Sequence, residues 1–116
     1  MFEVLKYVTR GVQNEVKLFF FELDDNGDEQ AFDDGFISRT EITIHGANAG
    51  ADVSINSDSD IFLSWNGTGR LTFIPGNYTL DPGDYDVSIH VFDVGHPNGQ
   101  TLIARYGPFR LRMRVL

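Results

Sequence analysis

The sequence of 116 residues contains no cysteine. Disulfide frameworks, thiolate metal sites and cysteine nucleophiles are therefore excluded. The first residues, MFEVLKYVTRG, lack the basic start and the apolar run of a secretory signal peptide. No segment approaches the roughly 18 consecutive apolar residues of a membrane-spanning helix. We therefore expect neither a secretion signal nor a membrane partner.

Basic residues are scarce as well, since nine Lys and Arg oppose 17 Asp and Glu and give a net charge of −8. A nucleic-acid partner is not expected, because binding to phosphates requires a basic surface. Seven acids lie between Glu22 and Asp34, whereas no acid follows Asp93. The region after Asp93 carries four arginines, Arg105, Arg110, Arg112 and Arg114. Two interpretations stay open: contacts between oppositely charged regions of two copies, or charges that face each other within one fold or face solvent.

Helical periodicity is missing, and apolar residues recur at every second position instead. The clearest example is DYDVSIHVFD, where Val87 and Ile89 alternate with Asp86 and Ser88. Turn signals separate such segments every 8 to 12 residues, which is typical of an all-β sandwich or barrel. We predict one all-β domain over residues 1–116 with about seven or eight strands. Residues 1–11 are predicted to form an N-terminal arm or an added strand that pairs with a neighbouring chain.

The segment EVKLFFFEL (residues 15–23) is apolar on both faces if it forms a strand. Val16, Leu18 and Phe20 would share one face. Phe19 and Phe21 would then point away from the core side that Phe20 occupies. Aromatic residues are enriched in protein interfaces. We therefore predict that Phe19 and Phe21 form a protein-binding surface.

The segment LDPGDYDV (residues 80–87) places a tyrosine at the start of a strand, directly after a Pro-Gly turn. This pattern is typical of the tyrosine corner of immunoglobulin-like sandwiches. Leu80 is predicted to pack inside, Pro82 and Gly83 to form the turn, and the Tyr85 hydroxyl to bond a backbone group of the corner. The motif predicts an immunoglobulin-like antiparallel β-sandwich, and it carries no activity of its own.

Three short segments, GRLTF (69–73), PGDY (82–85) and FRLRMRV (109–115), resemble stretches of the small immunoglobulin-like proteins of tailed bacteriophages. The resemblance covers most of residues 12–116. It implies a non-enzymatic structural module of the virion, in the tail, the baseplate or the capsid decoration, made in the host cytoplasm. The implied partners are other copies of the chain and other virion proteins. Arg110, Arg112 and Arg114 are then candidate interface residues, and the acids of residues 24–34 would complement them across the interface.

The acidic loop DDNGDEQAFDDG places Asp24, Asn26 and Asp28 at the spacing of the first ligands of an EF-hand. Glu29 stands where that loop requires Gly, and Gly35 stands where it requires Glu. The EF-hand pattern therefore fails, and we expect no calcium and no other cofactor. A looser oxygen-ligand site in a calcium-stabilised adhesion domain stays open as a third interpretation.

No catalytic pattern is present, since GxSxG, HExxH and a phosphate-binding glycine loop are all missing. His45, His90 and His96 have no ligand spacing within one element. Asp58 and Asp60 imitate a glycosidase pair but lie in the polar, turn-like run NSDSD. We therefore predict that the protein is not an enzyme and holds no metal.

An alternative function of the same fold is a carbohydrate- or cell-surface-binding module. Trp65 and Arg70 flank Asn-Gly-Thr-Gly, which predicts a hairpin. Trp65 and Tyr78 would form an exposed aromatic platform, since aromatic rings stack on sugars. Surface glycans would then be the partners.

Overall fold

The computed structural model describes residues 2–9, 14–46, 52–75, 80–105, 107 and 109–116. The all-β prediction is confirmed, because the regular elements in this part of the chain are eleven β-strands and no α-helix. Accordingly, no described segment forms a helix long and apolar enough to span a membrane. The strands are β1 (Phe2–Val8), β2 (Val16–Phe19), β3 (Phe21–Leu23), β4 (Glu29–Ala31), β5 (Arg39–Gly46), β6 (Val53–Asn56), β7 (Ser64–Trp65), β8 (Arg70–Phe73), β9 (Gly83–Asp93), β10 (His96–Ile103) and β11 (Phe109–Val115).

The larger sheet has the order β1-β11-β9-β5-β6, and β10 also pairs with β9. The first half of β9, Gly83–Val87, pairs with β11, and the second half, Ile89–Asp93, pairs with β10. β1 runs parallel to β11, with Phe2 opposite Phe109, whereas the other pairs are antiparallel. The N-terminal segment is therefore an added strand, but its partner is the C-terminal strand of its own chain instead of a neighbouring chain.

A smaller antiparallel sheet has the order β2-β8-β7, and β3 and β4 form a separate hairpin. The sequence predicts one strand over residues 15–23, but the structure divides it at Phe20. The backbone N–H of Phe20 donates to the carbonyl of Gly69 at 2.9 Å. The Phe20 ring turns inward, 5.9 Å from Phe32 and 5.5 Å from Trp65 between ring centroids. This division and the additional short strands explain why eleven strands replace the predicted seven or eight.

The core lies between the two sheets, because alternate residues of both belong to one buried cluster. In β11, Leu111, Met113 and Val115 of the alternating pattern are buried and the arginines between them are not, whereas Phe109 at the start of the strand is exposed. Burial of each such side chain contributes about 1.5–3 kcal/mol relative to exposure. The main contributors are Ile42, Ile44, Val87, Ile89, Leu111, Met113 and Val115 from the larger sheet and Val16, Leu18, Leu71 and Phe73 from the smaller one.

The turn before β9 holds the residues predicted to form a tyrosine corner. The Tyr85 hydroxyl donates to the backbone carbonyl of Asp81 at 2.6 Å, which is the bond expected of such a corner. Leu80 is buried at 5% exposure, while Pro82 lies at the surface. Gly83 has a φ of 146°, a conformation that side chains with a Cβ rarely adopt. The corner thus fixes where β9, the central strand of the larger sheet, begins.

Candidate functional site

Three large apolar side chains are exposed along the consecutive strands β2 and β3. Phe19, Phe21 and Leu23 are 64%, 60% and 70% exposed, whereas Val16 and Leu18 on the opposite face are buried. Phe19 and Phe21 are therefore exposed, as the alternation predicted, and Leu23 extends the same row. We refer to Phe19, Phe21 and Leu23 as the aromatic edge.

The aromatic edge begins on a strand that has one paired neighbour among the described strands. β2 pairs with β8 and is otherwise the outer strand of the smaller sheet. Phe19 lies opposite Arg70 of β8, and Lys17, two residues earlier, forms an ion pair with Glu15 at 3.5 Å. Edge strands carry unpaired backbone groups and offer a template for another chain. Exposed apolar rows bordered by charges are typical of protein interaction sites.

The acidic turn between β3 and β4 follows the aromatic edge directly. The Asp24 Oδ1 atom accepts hydrogen bonds from the backbone N–H groups of Asn26 and Asp28, both at 2.9 Å. Gln30 donates to the other Asp24 oxygen at 3.2 Å. Gly27 adopts a φ of 80°, which suits glycine in a tight turn. Asp24, the first residue of the EF-hand-like spacing, thus organises this turn with both carboxylate oxygens.

Asp34 differs from the other acids of this region because it is buried, at 6% exposure. Its Oδ2 atom accepts hydrogen bonds from the N–H groups of Gly67 at 3.1 Å and Gly69 at 2.9 Å. A Cβ atom at Gly69 would lie 2.6 Å from the carbonyl oxygen of Phe20, so this position requires glycine. Asp34 therefore holds the β7–β8 hairpin against the loop between β4 and β5. No sequence pattern distinguishes it from its neighbour Asp33.

The C-terminal arginines have partners in their own chain. Arg110 donates to Asp86 at 2.6 Å, and Arg114 donates to Asp84 at 2.7 Å. Arg112 donates to Glu3 of β1 at 3.1 Å. These partners lie on β9 and β1 and not in the acidic region 24–34. Within the chain, the arginines therefore form ion pairs across neighbouring strands of one sheet. Complementarity between the arginines and the acids of residues 24–34 in another copy stays a prediction.

The Asp84–Arg114 pair affects both charged groups. The hydrogen bond from Arg114 lowers the pKa of the Asp84 carboxyl, and the positive charges of Arg114 and Arg112 lower that pKa further. The same hydrogen bond raises the pKa of the Arg114 guanidinium. Both groups are thereby held in their charged forms. The outer face of β11 is neutralised where it meets β9.

Trp65 does not form the predicted exposed platform. Its indole N–H donates to the Thr40 hydroxyl at 2.9 Å, and the residue is partly buried. The Phe32 ring lies 5.6 Å from the indole ring between centroids, and Phe20 packs against it as well. Tyr78, the other platform residue, lies outside the described residues. The tryptophan is thus part of an internal aromatic cluster with one side at the surface.

A cleft of about 550 Å³ adjoins Trp65, and we refer to it as the Trp65 cleft. Its walls come from the start of β5, the turn after β6 and the strand β7. Arg39 and Asp58 lie on one wall, with Arg39 Nε 3.3 Å from the Asp58 carboxylate. Asp34 contributes to the opposite part of the lining beside Gly67. The cleft combines polar groups of both charge signs with one aromatic residue.

Ser88, His45 and Asp52 form a hydrogen-bonded chain on the outer face of the larger sheet. His45 Nε2 lies 3.0 Å from the Ser88 hydroxyl, and His45 Nδ1 lies 3.0 Å from the Asp52 carboxylate. The order of groups is that of a serine hydrolase triad, which also needs convergent oxyanion donors. Ser88 lies opposite Thr43 in the ladder between β9 and β5 and is only 7% exposed. Successive N–H groups of a strand point to opposite sides, so the N–H groups beside Ser88 do not converge on one oxyanion. We therefore interpret the chain as a structural link between β5, β9 and the start of β6.

Comparison with known proteins adds no identity: no protein-family model matches the sequence, and no curated protein is significantly similar to it. The features that bear on function are therefore the aromatic edge, the Trp65 cleft and the ion-paired sheet.

Proposed function

We propose that the protein is a non-enzymatic interaction module of immunoglobulin-like fold that assembles through the aromatic edge. The best candidate setting is a phage virion, in the tail, the baseplate or the capsid decoration. The short segments that resemble small immunoglobulin-like phage proteins support this setting. The observation that carries the proposal is the row of Phe19, Phe21 and Leu23, each at least 60% exposed.

The strand order supports the immunoglobulin-like assignment. In that fold, one sheet contains the order A-B-E-D and the other contains C, F and G, with C′ added beside C in variable-type domains. The order β2-β8-β7 corresponds to B-E-D, and β11-β9-β5-β6 corresponds to G-F-C-C′. The hydroxyl bond of Tyr85 at the start of β9 corresponds to the tyrosine corner before strand F.

The energetics of the aromatic edge favour a protein partner. Each large apolar side chain that leaves water contributes about 1.5–3 kcal/mol when it is fully buried. Three exposed apolar residues at alternate positions provide the apolar centre that interfaces need, and Lys17, Glu15 and Arg70 provide a charged border. A second copy of the chain satisfies both requirements, because the same edge on each copy forms a self-complementary contact.

Light scattering over a concentration series tests the proposal. We expect the wild-type chain to form a discrete oligomer and the double variant Phe19→Ser, Phe21→Ser to be a folded monomer. Phe36→Ser is the matched control, because Phe36 is 75% exposed but lies in the turn after Asp34. Circular dichroism and thermal unfolding establish that each variant is folded.

Two outcomes contradict this proposal. An oligomer that survives in the double variant places the interface elsewhere. A wild-type chain that remains monomeric at every concentration excludes self-assembly through this edge. In that case, binding of a separate virion protein would have to be shown directly for the interaction module to stand.

A further inference from the structure

The Trp65 cleft is separate from the aromatic edge, because none of the three residues of that edge lines it. It lies where both sheets end, since β7 is the outer strand of the smaller sheet and β6 that of the larger sheet. Its volume of about 550 Å³ falls within the range of small-molecule sites, roughly 300–1,000 Å³. Leu63, which is buried, and Trp65 supply the apolar part of its wall.

Two polar side chains of the cleft are held in place by hydrogen bonds from backbone N–H groups. Asp34 is buried, and both of its hydrogen bonds from Gly67 and Gly69 end on Oδ2. This arrangement leaves Oδ1 as an acceptor. The Ser57 hydroxyl oxygen accepts from the N–H of Thr40 at 2.9 Å, which leaves its hydrogen as a donor. Preorganised groups of this kind reduce the cost of ordering a site on binding.

The charges of the cleft determine the class of ligand. Two carboxylates, Asp34 and Asp58, and one guanidinium, Arg39, lie in its lining. Arg39 also donates to Glu41 at 3.0 Å, so its charge is compensated. A phosphate or carboxylate ligand would be repelled by the two acids, and an organic cation would be repelled by Arg39. A neutral ligand with several hydroxyl groups avoids both conflicts, because each hydroxyl donates and accepts.

We infer that the Trp65 cleft binds a neutral sugar unit. Sugar hydroxyls can donate to Asp58 and accept from Ser57 and Arg39, all of which line the cleft. The apolar face of a sugar ring matches the wall formed by Trp65 and Leu63. This inference does not depend on the proposed assembly, since the two surfaces share no residue.

Fluorescence of the full-length chain tests the inference, because Trp65 is the only tryptophan. The probes are the neutral sugars glucose, galactose, N-acetylglucosamine, maltose, cellobiose and lactose. We expect a saturable change in Trp65 emission for at least one of them, and none for inorganic phosphate. Free N-acetyltryptophanamide in the same sugar solutions controls for solvent effects on the indole.

Two variants locate the binding. Asp58→Ala should weaken it about tenfold or more, the size expected for the loss of one hydrogen bond to a charged group. Ser64→Phe should abolish binding by filling the cleft from an exposed wall position. The double variant of Phe19 and Phe21 should bind as the wild type does. Chemical-shift mapping by NMR gives a second readout, with changes expected at Ser57, Asp58 and Ser64.

Each remaining outcome overturns the inference. If no sugar of the series gives a saturable response in fluorescence or NMR, the cleft is not a neutral sugar site. A response to phosphate alone would assign an anion site instead. A sugar response that is unchanged in both Asp58→Ala and Ser64→Phe would place the binding outside the cleft. None of these outcomes bears on assembly, which light scattering tests separately.

Discussion

The outward face of β11 and the outward face of β2 and β3 differ although both follow the same alternation. On β11 the outward arginines lie beside acids of β9 and β1, and each forms an ion pair. On β2 and β3 the outward residues are apolar and exposed. The charges of the first face are paired within the chain, whereas the apolar side chains of the second face lie in water. This contrast supports the proposal that the aromatic edge is the interaction surface.

The ion pairs of β11 stabilise the fold less than their number suggests. Exposed ion pairs contribute about 0–1 kcal/mol each, because solvent screens them and ordering the side chains costs entropy. Their register is more informative: Arg112 lies opposite Asp86, and Arg114 lies opposite Asp84. A slip of one residue would turn these arginines toward the core. Charge pairing and core alternation therefore specify the same pairing of β11 with β9.

The largest loss of unfolding free energy is expected for a substitution on the inward side of β11. Leu111→Ala removes a side chain that is 2% exposed and leaves a cavity, so unfolding should become easier by about 2–5 kcal/mol. The outward control, Arg112→Ala, should cost about 0–1 kcal/mol. Urea unfolding at constant pH measures both. Equal losses of unfolding free energy in Leu111→Ala and Arg112→Ala would show that the inward face of β11 is not more important for stability than the outward face.

The second-largest loss of stability is expected when the first of two neighbouring acids, Asp34 and Asp33, is replaced. Asp34→Ala leaves the N–H groups of Gly67 and Gly69 without their acceptor; Gly69 is buried, and an unsatisfied buried donor costs about 1–3 kcal/mol. Asp33→Ala removes an exposed carboxylate that accepts only the local N–H of Gly35 at 3.0 Å. We expect a loss of about 2–4 kcal/mol in the first variant and less than about 1 kcal/mol in the second.

Denaturant unfolding of both variants, with the m-value compared to the wild type, measures this difference. A second readout is the emission of Trp65, which should change in Asp34→Ala because the β7–β8 hairpin loses its anchor. If the two alanine variants are equally stable, Asp34 does not hold the hairpin.

The local pattern of the sequence predicts those features that depend on side chains two positions apart. The buried apolar positions of β5, β9 and β11 follow from alternation, although Ser88 on the polar side of β9 is also buried and Phe109 of β11 is exposed. The turn before Tyr85 follows from its Pro-Gly step. The exposure of Phe19 and Phe21 also follows, because the inward position of Phe20 excludes them from the core side.

Features that depend on distant partners could not be predicted in this way. The division at Phe20 requires the carbonyl of Gly69, and the burial of Asp34 requires a hairpin 33 residues away. Trp65 is held by Thr40, 25 residues earlier, so a pattern read along the chain places it at the surface. The partners of the arginines depend on the pairing of β11 with β9, which the sequence leaves open.

The smallest effect concerns the ion pair of Asp84 and Arg114. Because Arg114 lowers the pKa of Asp84 in the folded state, the unfolded chain binds a proton at this carboxyl at a higher pH than the folded chain does. The pair therefore stabilises the fold above the ordinary pKa of Asp, about 3.9. This contribution is lost as the pH falls from about 4 through the lowered pKa of Asp84. We expect Asp84→Asn to lack this contribution.

Unfolding by urea at pH 7, 5, 4 and 3 would reveal the difference. The wild type and Asp84→Asn should differ most at pH 7, and the difference should shrink below pH 4, because the native carboxylate is neutralised as the pH falls through its lowered pKa. Asp25→Asn, in the exposed turn between β3 and β4, is the control for removing one acid. Parallel curves for wild type and Asp84→Asn would show that the pair contributes nothing. The outward arginines of β11 would then serve only to keep β11 in register with β9. Their role would differ even more from that of the aromatic edge, which is proposed to bind a partner.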